Sequence, residues 1–186
     1  CIRDRSKNTR HDLKWLKKTG WDKTLHEYAR QQGCVLGICG GYQMMGRHVH
    51  DPDGLEGQPG SSVGLGMLPV ETTLKAPKTT TLTRFLIDDG IEGTGYEIHM
   101  GYTKRLGGNP LSTIVEQNGK PVDRDEGCRL SDNSIMGTYL HGLFDAPAVL
   151  SWWLTSIGLP NVGGQAMYGP HARDRSYDLL ADHLSQ

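Results

Sequence analysis

Apolar positions recur along this chain first at helical spacing, then as a short buried strand, and through the middle by alternation. Thr9-x-x-Asp12 reads as a capping box, and Leu13 and Leu16 after it predict a short helix that Gly20 ends. Trp21, Leu25, Tyr28 and Ala29 predict a second helix closed by Gly33. Residues 35 to 46 read as a buried strand that passes through a sharp glycine turn into a helix. Asp51-Pro52-Asp53-Gly54 and the stretch from Gly57 to Gly66 are rich in turn residues and predict an ordered loop. Thr72 to Leu86 and Tyr96 to Leu106 place threonines, aromatics and branched residues at alternate positions, which predicts antiparallel strands at one side of a sheet. Asn118-Gly119 marks a hairpin between Ile114-Val115-Glu116 and Pro121-Val122. Ser134 to Leu140 is a further strand ending in His141-Gly142, and Ala146 to Ser156 is helical. Tyr177, Leu180, Ala181 and Leu184 form the apolar stripe of a closing helix. This alternation of helix and strand predicts an α/β fold, a mainly parallel central sheet with helices on both faces.

Bulk properties narrow the function classes. The 186 residues suffice for one core and are too few for two large domains. Lys and Arg number 20 against 21 Asp and Glu, a net charge of −1, so no basic excess draws nucleic acid or an anionic membrane. No apolar run approaches the ~18 to 20 residues of a membrane span and no signal-like segment opens the chain, which therefore reads as cytoplasmic. Cys1, Cys34, Cys39 and Cys128 are too few and too irregularly spaced for a disulfide framework and read as reduced thiols. A five-residue step along a strand turns the sulfurs of Cys34 and Cys39 to opposite faces, so no metal site is expected from them.

The candidate chemistry lies at Cys39. Gly37-Ile38-Cys39-Gly40-Gly41 is Gly-x-Cys-x-Gly, the sulfur counterpart of the nucleophile elbow, in which glycines make room for a bend that lifts the side chain above the sheet edge. The N–H groups and positive end of the following helix favour thiolate over thiol, and the Gly40 N–H can meet a developing oxyanion. A buried, inert cysteine at a strand end is the alternative, but it needs no such bend. A base must come from one of eight histidines. His11, His26, His171 and His183 sit in polar contexts, and His48 and His50, between Arg47 and Asp51, read as a solvated turn. His141 ends an apolar strand, which would place it at the same carboxyl edge of a parallel sheet as Cys39, where ligands bind. The pair forms a dyad in which imidazole takes the thiol proton and returns it to a leaving amine, unless His141 merely caps a loop carbonyl.

Several blocks in register resemble one family. Gly37 to Gln43 with Asp51-Pro52-Asp53-Gly54-Leu55-Glu56-Gly57, then Gly95-Tyr96-Glu97-Ile98-His99-Met100-Gly101-Tyr102-Thr103, then Gly137-Thr138-Tyr139-Leu140-His141-Gly142-Leu143-Phe144-Asp145, resemble the glutaminase domain of class I glutamine amidotransferases, specifically the cobyric acid synthase family. Ser6-Lys7-Asn8-Thr9 is similar to the end of the family's glycine-serine-lysine-asparagine loop. The resemblance runs from about residue 6 to the closing helix and implies a flavodoxin-like fold. It implies that Cys39 attacks the side-chain amide of glutamine, that His141 is its base and acid, and that Gly40, Tyr42 and Gln43 form the oxyanion and substrate region. It further implies an upstream synthetase domain of the same polypeptide that binds ATP and magnesium, holds a corrinoid acceptor and receives the ammonia. No Gly-Lys-Ser or Gly-Lys-Thr phosphate loop occurs in this chain, so no cofactor is expected in this domain.

Two departures shape the expectation. Many class I amidotransferases carry a glutamate two residues after the histidine; here that position is Leu143, leaving Glu97, Asp145 or a backbone carbonyl to orient His141, with His99 as a positioning candidate. Where the family has proline-glycine before its serine, this chain has Cys1-Ile2-Arg3-Asp4-Arg5, read as non-native residues on a domain incomplete at its N-terminus. Arg5 then stands where a glycine would offer the second oxyanion N–H. The competing readings are a glutaminase serving another acceptor, in cobyrinic acid a,c-diamide synthase or the lipid II amidating enzyme, and a non-catalytic docking domain.

Overall fold

Asn8, rather than Thr9, caps the first helix. In this computed structural model, which describes residues 8–88 and 90–159, the Asn8 side chain accepts from the His11 amide at 2.8 Å at the start of α1 (Thr9–Lys18). Thr9 is buried and donates to Gln43 Oε1 at 2.9 Å, which takes its hydroxyl away from the helix amides and moves the cap back by one residue. Gly20, at φ 80, turns the chain into α2 (Trp21–Arg30), which lies outermost and leaves Trp21 and Tyr28 about half exposed.

The parallel heart of the fold is β1 (Val35–Ile38) against β11 (Ile135–Thr138), with Val35 opposite Ile135 and Ile38 opposite Thr138; β10 (Cys128–Arg129) adds an antiparallel edge. Val35 belongs to one core cluster with Leu13, Met44, Met45, Leu68 and Val70. Its neighbour Leu36 belongs to the other, with Phe85, Ile114, Met136, Leu140 and Val149 of α4 (Pro147–Ser156). Burial on both faces is why 35–38 reads as an unbroken apolar run.

Antiparallel pairing dominates elsewhere. β2 (His48–Asp51), β3 (Gly60–Val63), β4 (Val70–Thr73) and β7 (Tyr102–Arg105) form a sheet ordered β3-β2-β4-β7, with β2 and β4 parallel. β5 (Thr79–Ile87), β6 (Ile91–His99), β8 (Ser112–Gln117), β9 (Lys120–Glu126) and β12 (Leu140–His141) form a sheet ordered β12-β6-β5-β8-β9. The hairpin at Asn118-Gly119 is as predicted, both residues at positive φ. The predicted strands Thr72 to Leu86 and Tyr96 to Leu106 each divide between these two sheets. The second breaks at Gly101, φ 79, where the Thr73 carbonyl leaves no room for a Cβ.

Two strands, β2 and β3, stand where a turn and loop were expected. Val49 is the sole apolar residue of β2, so alternation is barely visible, and pairing on both sides holds the strand. Asp51 at its end accepts from the amides of Leu55 (2.8 Å) and Glu56 (2.9 Å) and from Arg10 Nη1 (3.2 Å). Burial opposes its charge, but those amides and the guanidinium outweigh it and hold the carboxyl below the usual carboxylate range. No helix among the described residues is long and apolar enough to cross a membrane. The closing helix through Tyr177 to Leu184, His171, His183, and residues 1–7 with Arg5, Ser6 and Lys7 lie outside the described residues.

Candidate active site

Cys39 sits between β1 and α3 (Gly40–Met45) at φ 54, ψ −115, a conformation that side-chain-bearing residues rarely adopt. Both sides of the bend are tied. The Cys39 amide donates to the Thr138 carbonyl at 2.8 Å, extending the pairing of β1 with β11, and its carbonyl accepts from the Gln43 amide at 3.1 Å, opening α3. A Cβ on Gly37 would run into the Met45 sulfur and lie 2.8 Å from the Gly41 carbonyl carbon, so α3 packs directly onto β1 only because residue 37 is glycine. This is the predicted elbow, with its strain held in place by two backbone hydrogen bonds. The first amide of α3, that of Gly40, has no carbonyl four residues back within the helix.

The partly exposed Cys39 thiol donates to the Ile98 carbonyl of β6 at 3.4 Å. His141 reaches the same strand through β12 (Leu140–His141). The chain leaves β11 at Thr138 and joins the antiparallel sheet as β12, where buried His141 lies opposite Tyr96 and stacks on its ring, centroids 4.9 Å apart and planes 7° apart. Tyr96 and Ile98 are two residues apart, roughly 6 to 7 Å along a strand. Cys39 and His141 thus meet at β6, and His141 stands in a different sheet from Cys39 rather than at the edge of the same parallel one. Gly95 makes this possible: a Cβ there would collide with the His141 carbonyl oxygen. Gly95→Ala is expected to destabilise the protein by about 1–3 kcal/mol and to lower activity with it, measured as a fall in melting temperature and in turnover.

The other predicted residues support the site from within. Tyr42 and Gln43 are buried, with Tyr42 also lining a cavity beside His99 and Tyr139. Tyr42 packs edge-on against Tyr139, 5.2 Å between centroids, and burial raises its phenol pKa. Gln43 accepts from Thr9 and donates to the Tyr139 hydroxyl at 3.1 Å, which in turn meets Thr103 Oγ at 2.5 Å. His99 stacks on Tyr139 at 3.7 Å, and its Nδ1 lies 3.1 Å from the Gly101 carbonyl; a carbonyl only accepts, so Nδ1 carries the proton. Burial lowers the His99 pKa and keeps the ring neutral.

Of the carboxylates considered for orienting His141, buried Glu97 gives both oxygens to Arg124, at 2.9 and 2.7 Å, and its neighbour across β12 is Leu140. Asp145 follows Gly142, φ 76, donates its amide to the Gly142 carbonyl at 2.9 Å, and places Oδ2 3.2 Å from where a Cβ on Gly142 would be. The Asp145 carboxylate therefore folds back over the residue that follows His141. Cys34, Cys39 and Cys128 carry no disulfide.

Sequence reasoning missed Glu126, which sits in the polar run Asp123-Arg124-Asp125-Glu126 and shows its inward direction only through β9 pairing. It accepts from Thr138 Oγ and the Tyr139 amide, both at 2.7 Å, and braces the point where the chain leaves β11 for β12. Burial pushes its carboxyl up from an ordinary value near 4.5 to about 7, against the pull of those two donors. The folded protein therefore keeps a proton that the unfolded chain releases. The stabilisation is full below about pH 4.5 and is lost as pH rises through about 7. Melting temperature measured across that range should fall more steeply for the natural protein than for Glu126→Gln, the difference amounting to about 3 kcal/mol.

A strained cysteine elbow on a parallel strand, a histidine delivered by the partner strand's continuation, and this order of elements define a class I glutamine amidotransferase of flavodoxin-like fold. A solved structure described as "Crystal structure of glutamine amidotransferase" superposes with a TM-score of 0.56 at 16% identity, covering 84% of this chain and 78% of that one. PurLQS from Thermotoga maritima gives 0.52 at 11% identity, covering 72% and 66%. More narrowly, residues 6–149 match the CobB/CobQ-like glutamine amidotransferase domain, and the chain belongs to that family. It is 42% identical over 186 residues to a cobyric acid synthase of Chlorobium phaeobacteroides, covering 97% of this chain and 35% of that protein. A cobyric acid synthase of Rhodobacter capsulatus is 42% identical over 181 residues, covering 96% and 36%. The chain spans about a third of the length of these curated relatives.

Proposed function

We propose that this domain hydrolyses glutamine through a Cys39 thioester. Cys39 sulfur attacks the side-chain amide carbon, the oxyanion is met by the Gly40 amide, and His141 takes the thiol proton and passes it to the departing ammonia. Water then cleaves the thioester, leaving glutamate. The observation that carries this reading is the Cys39 elbow at φ 54, with its thiol on Ile98 and His141 paired two residues along the same strand.

The family and the names of its relatives support a place for this glutaminase within a cobyric acid synthase, whose location we propose to be the cytoplasm. Ammonia would pass to an ATP-dependent synthetase domain of the same polypeptide, where ATP and Mg2+ activate carboxylates of the corrinoid adenosylcobyrinic acid a,c-diamide; the glutaminase domain itself would need no cofactor. The test is amidation by the full-length protein with glutamine, ATP and Mg2+, offered that corrinoid, cobyrinic acid or lipid II in separate reactions. Product from the a,c-diamide alone is expected, and product from either of the others instead assigns a different acceptor.

A further inference from the structure

Outside the catalytic region, one group of side chains among the described residues combines metal-ligating chemistry with convergent geometry. His48 and His50 stand at alternate positions of β2, so both imidazoles leave the same face of the sheet, while Val49 between them is buried on the other. β4 runs parallel and sets Glu71 directly opposite His48. His48 Nδ1 lies 3.2 Å from one Glu71 oxygen and His50 Nε2 3.8 Å from the other. One donor atom from each residue lies within 4.8 Å of the other two. Tetrahedral zinc with bonds of about 2.0–2.1 Å holds its ligand atoms roughly 3.3–3.4 Å apart, so closure needs only side-chain rotation of about 1 Å.

A second contact prepares His50 for this role. Its Nδ1 lies 2.8 Å from Ser61 Oγ on β3; with Nδ1 donating to that hydroxyl, the lone pair is left on Nε2, the nitrogen that faces Glu71. All three side chains are about one-third to two-fifths exposed, so a hydrated ion can enter and keep a water in the fourth position. The opposing charge on this face is Lys104, opposite Glu71 on β7, an exposed side chain whose long stem can carry its ammonium into solvent.

We propose that His48, His50 and Glu71 bind a zinc-class divalent metal ion, joining β2 to β4 as a structural staple. The proposal is independent of the glutaminase reading. Ligation by two imidazoles and one carboxylate, with one open position, suits zinc or cobalt over magnesium or calcium, which prefer oxygen ligands. Because the ligands are assembled only in the folded sheet, metal stabilises the fold by mass action.

The experiment is titration of full-length, chelator-stripped Cys39→Ser protein with Co2+, then Zn2+, followed by visible absorption and thermal melting; the substitution removes competition from the thiol. Expected is one equivalent of four-coordinate cobalt, displaced by zinc, with a rise in melting temperature, both absent when His50→Gln and Glu71→Gln are added. Ser61→Ala, which removes no ligand, should weaken binding about 10-fold. Equal binding with and without the two ligand substitutions overturns the proposal, as does a natural ligand set that binds neither metal, which would leave the cluster an ordinary surface ion pair.

Discussion

Cys39→Ser in the full-length protein should abolish glutamine-dependent amidation, a loss of about 10⁴-fold or more, while amidation with ammonium as the nitrogen source continues at the natural rate. Serine fits the elbow: it is as small as cysteine, it asks no more of φ 54, and it leaves the Cys39-to-Thr138 and Gln43-to-Cys39 backbone bonds untouched. What it removes is a sulfur that can yield its proton to His141, since a hydroxyl ionises only at much higher pH. The ammonium arm separates chemistry from folding. Loss of both activities would assign Cys39 a structural role, and undiminished glutamine turnover would exclude it as nucleophile.

The second large effect is at His141. His141→Asn should lower the glutaminase kcat by about 10² to 10⁴, the usual contribution of a positioned proton carrier, again with ammonium-dependent turnover preserved. Asparagine keeps a planar polar group against Tyr96 and leaves the β12 to β6 pairing intact, so the melting temperature should change little. Because Cys39 and His141 act in one step, combining the two substitutions should cost little more than Cys39→Ser alone. Strictly additive losses would show that His141 contributes through something other than the thiol. Rapid-quench analysis gives an independent readout: acyl-enzyme should form slowly in His141→Asn and not at all in Cys39→Ser.

Why these two residues were legible, and others not, follows from the range of the interactions involved. The Cys39 elbow is local. Glycines at 37, 40 and 41, an apolar run before and a helix after are all within ten residues, and each limits backbone geometry through its own sterics. The hairpin at Asn118-Gly119 is local in the same way. Asn8 against Thr9 shows the limit: both are good caps, and the choice was made by Gln43, 34 residues away, which claimed the Thr9 hydroxyl. β2 was hidden because strand formation at His48-Val49-His50-Asp51 depends on β3 and β4 rather than on its own apolar content. The burial of Tyr42 and Gln43 was not legible either: α3 is too short to show an apolar stripe, and it is covered on nearly every side because β1, β11 and α1 pack around it.

The sequence by itself determined that this chain is an α/β domain with a cysteine at a strand-to-helix elbow, and its blocks in register determined the family. It also singled out His141. Only the tertiary structure decided how the two meet: β11 ends at Thr138, Glu126 braces the exit, and β12 crosses into the antiparallel sheet so that His141 and the Cys39 thiol share β6. It likewise decided that Glu97 belongs to Arg124 and that Glu126 is buried. The physical reason is common to all of these. A bend is set by the atoms next to it, whereas the partner of a buried charge or a strand end is set by whichever distant segment fills the space beside it, and that competition is resolved only when the whole core packs.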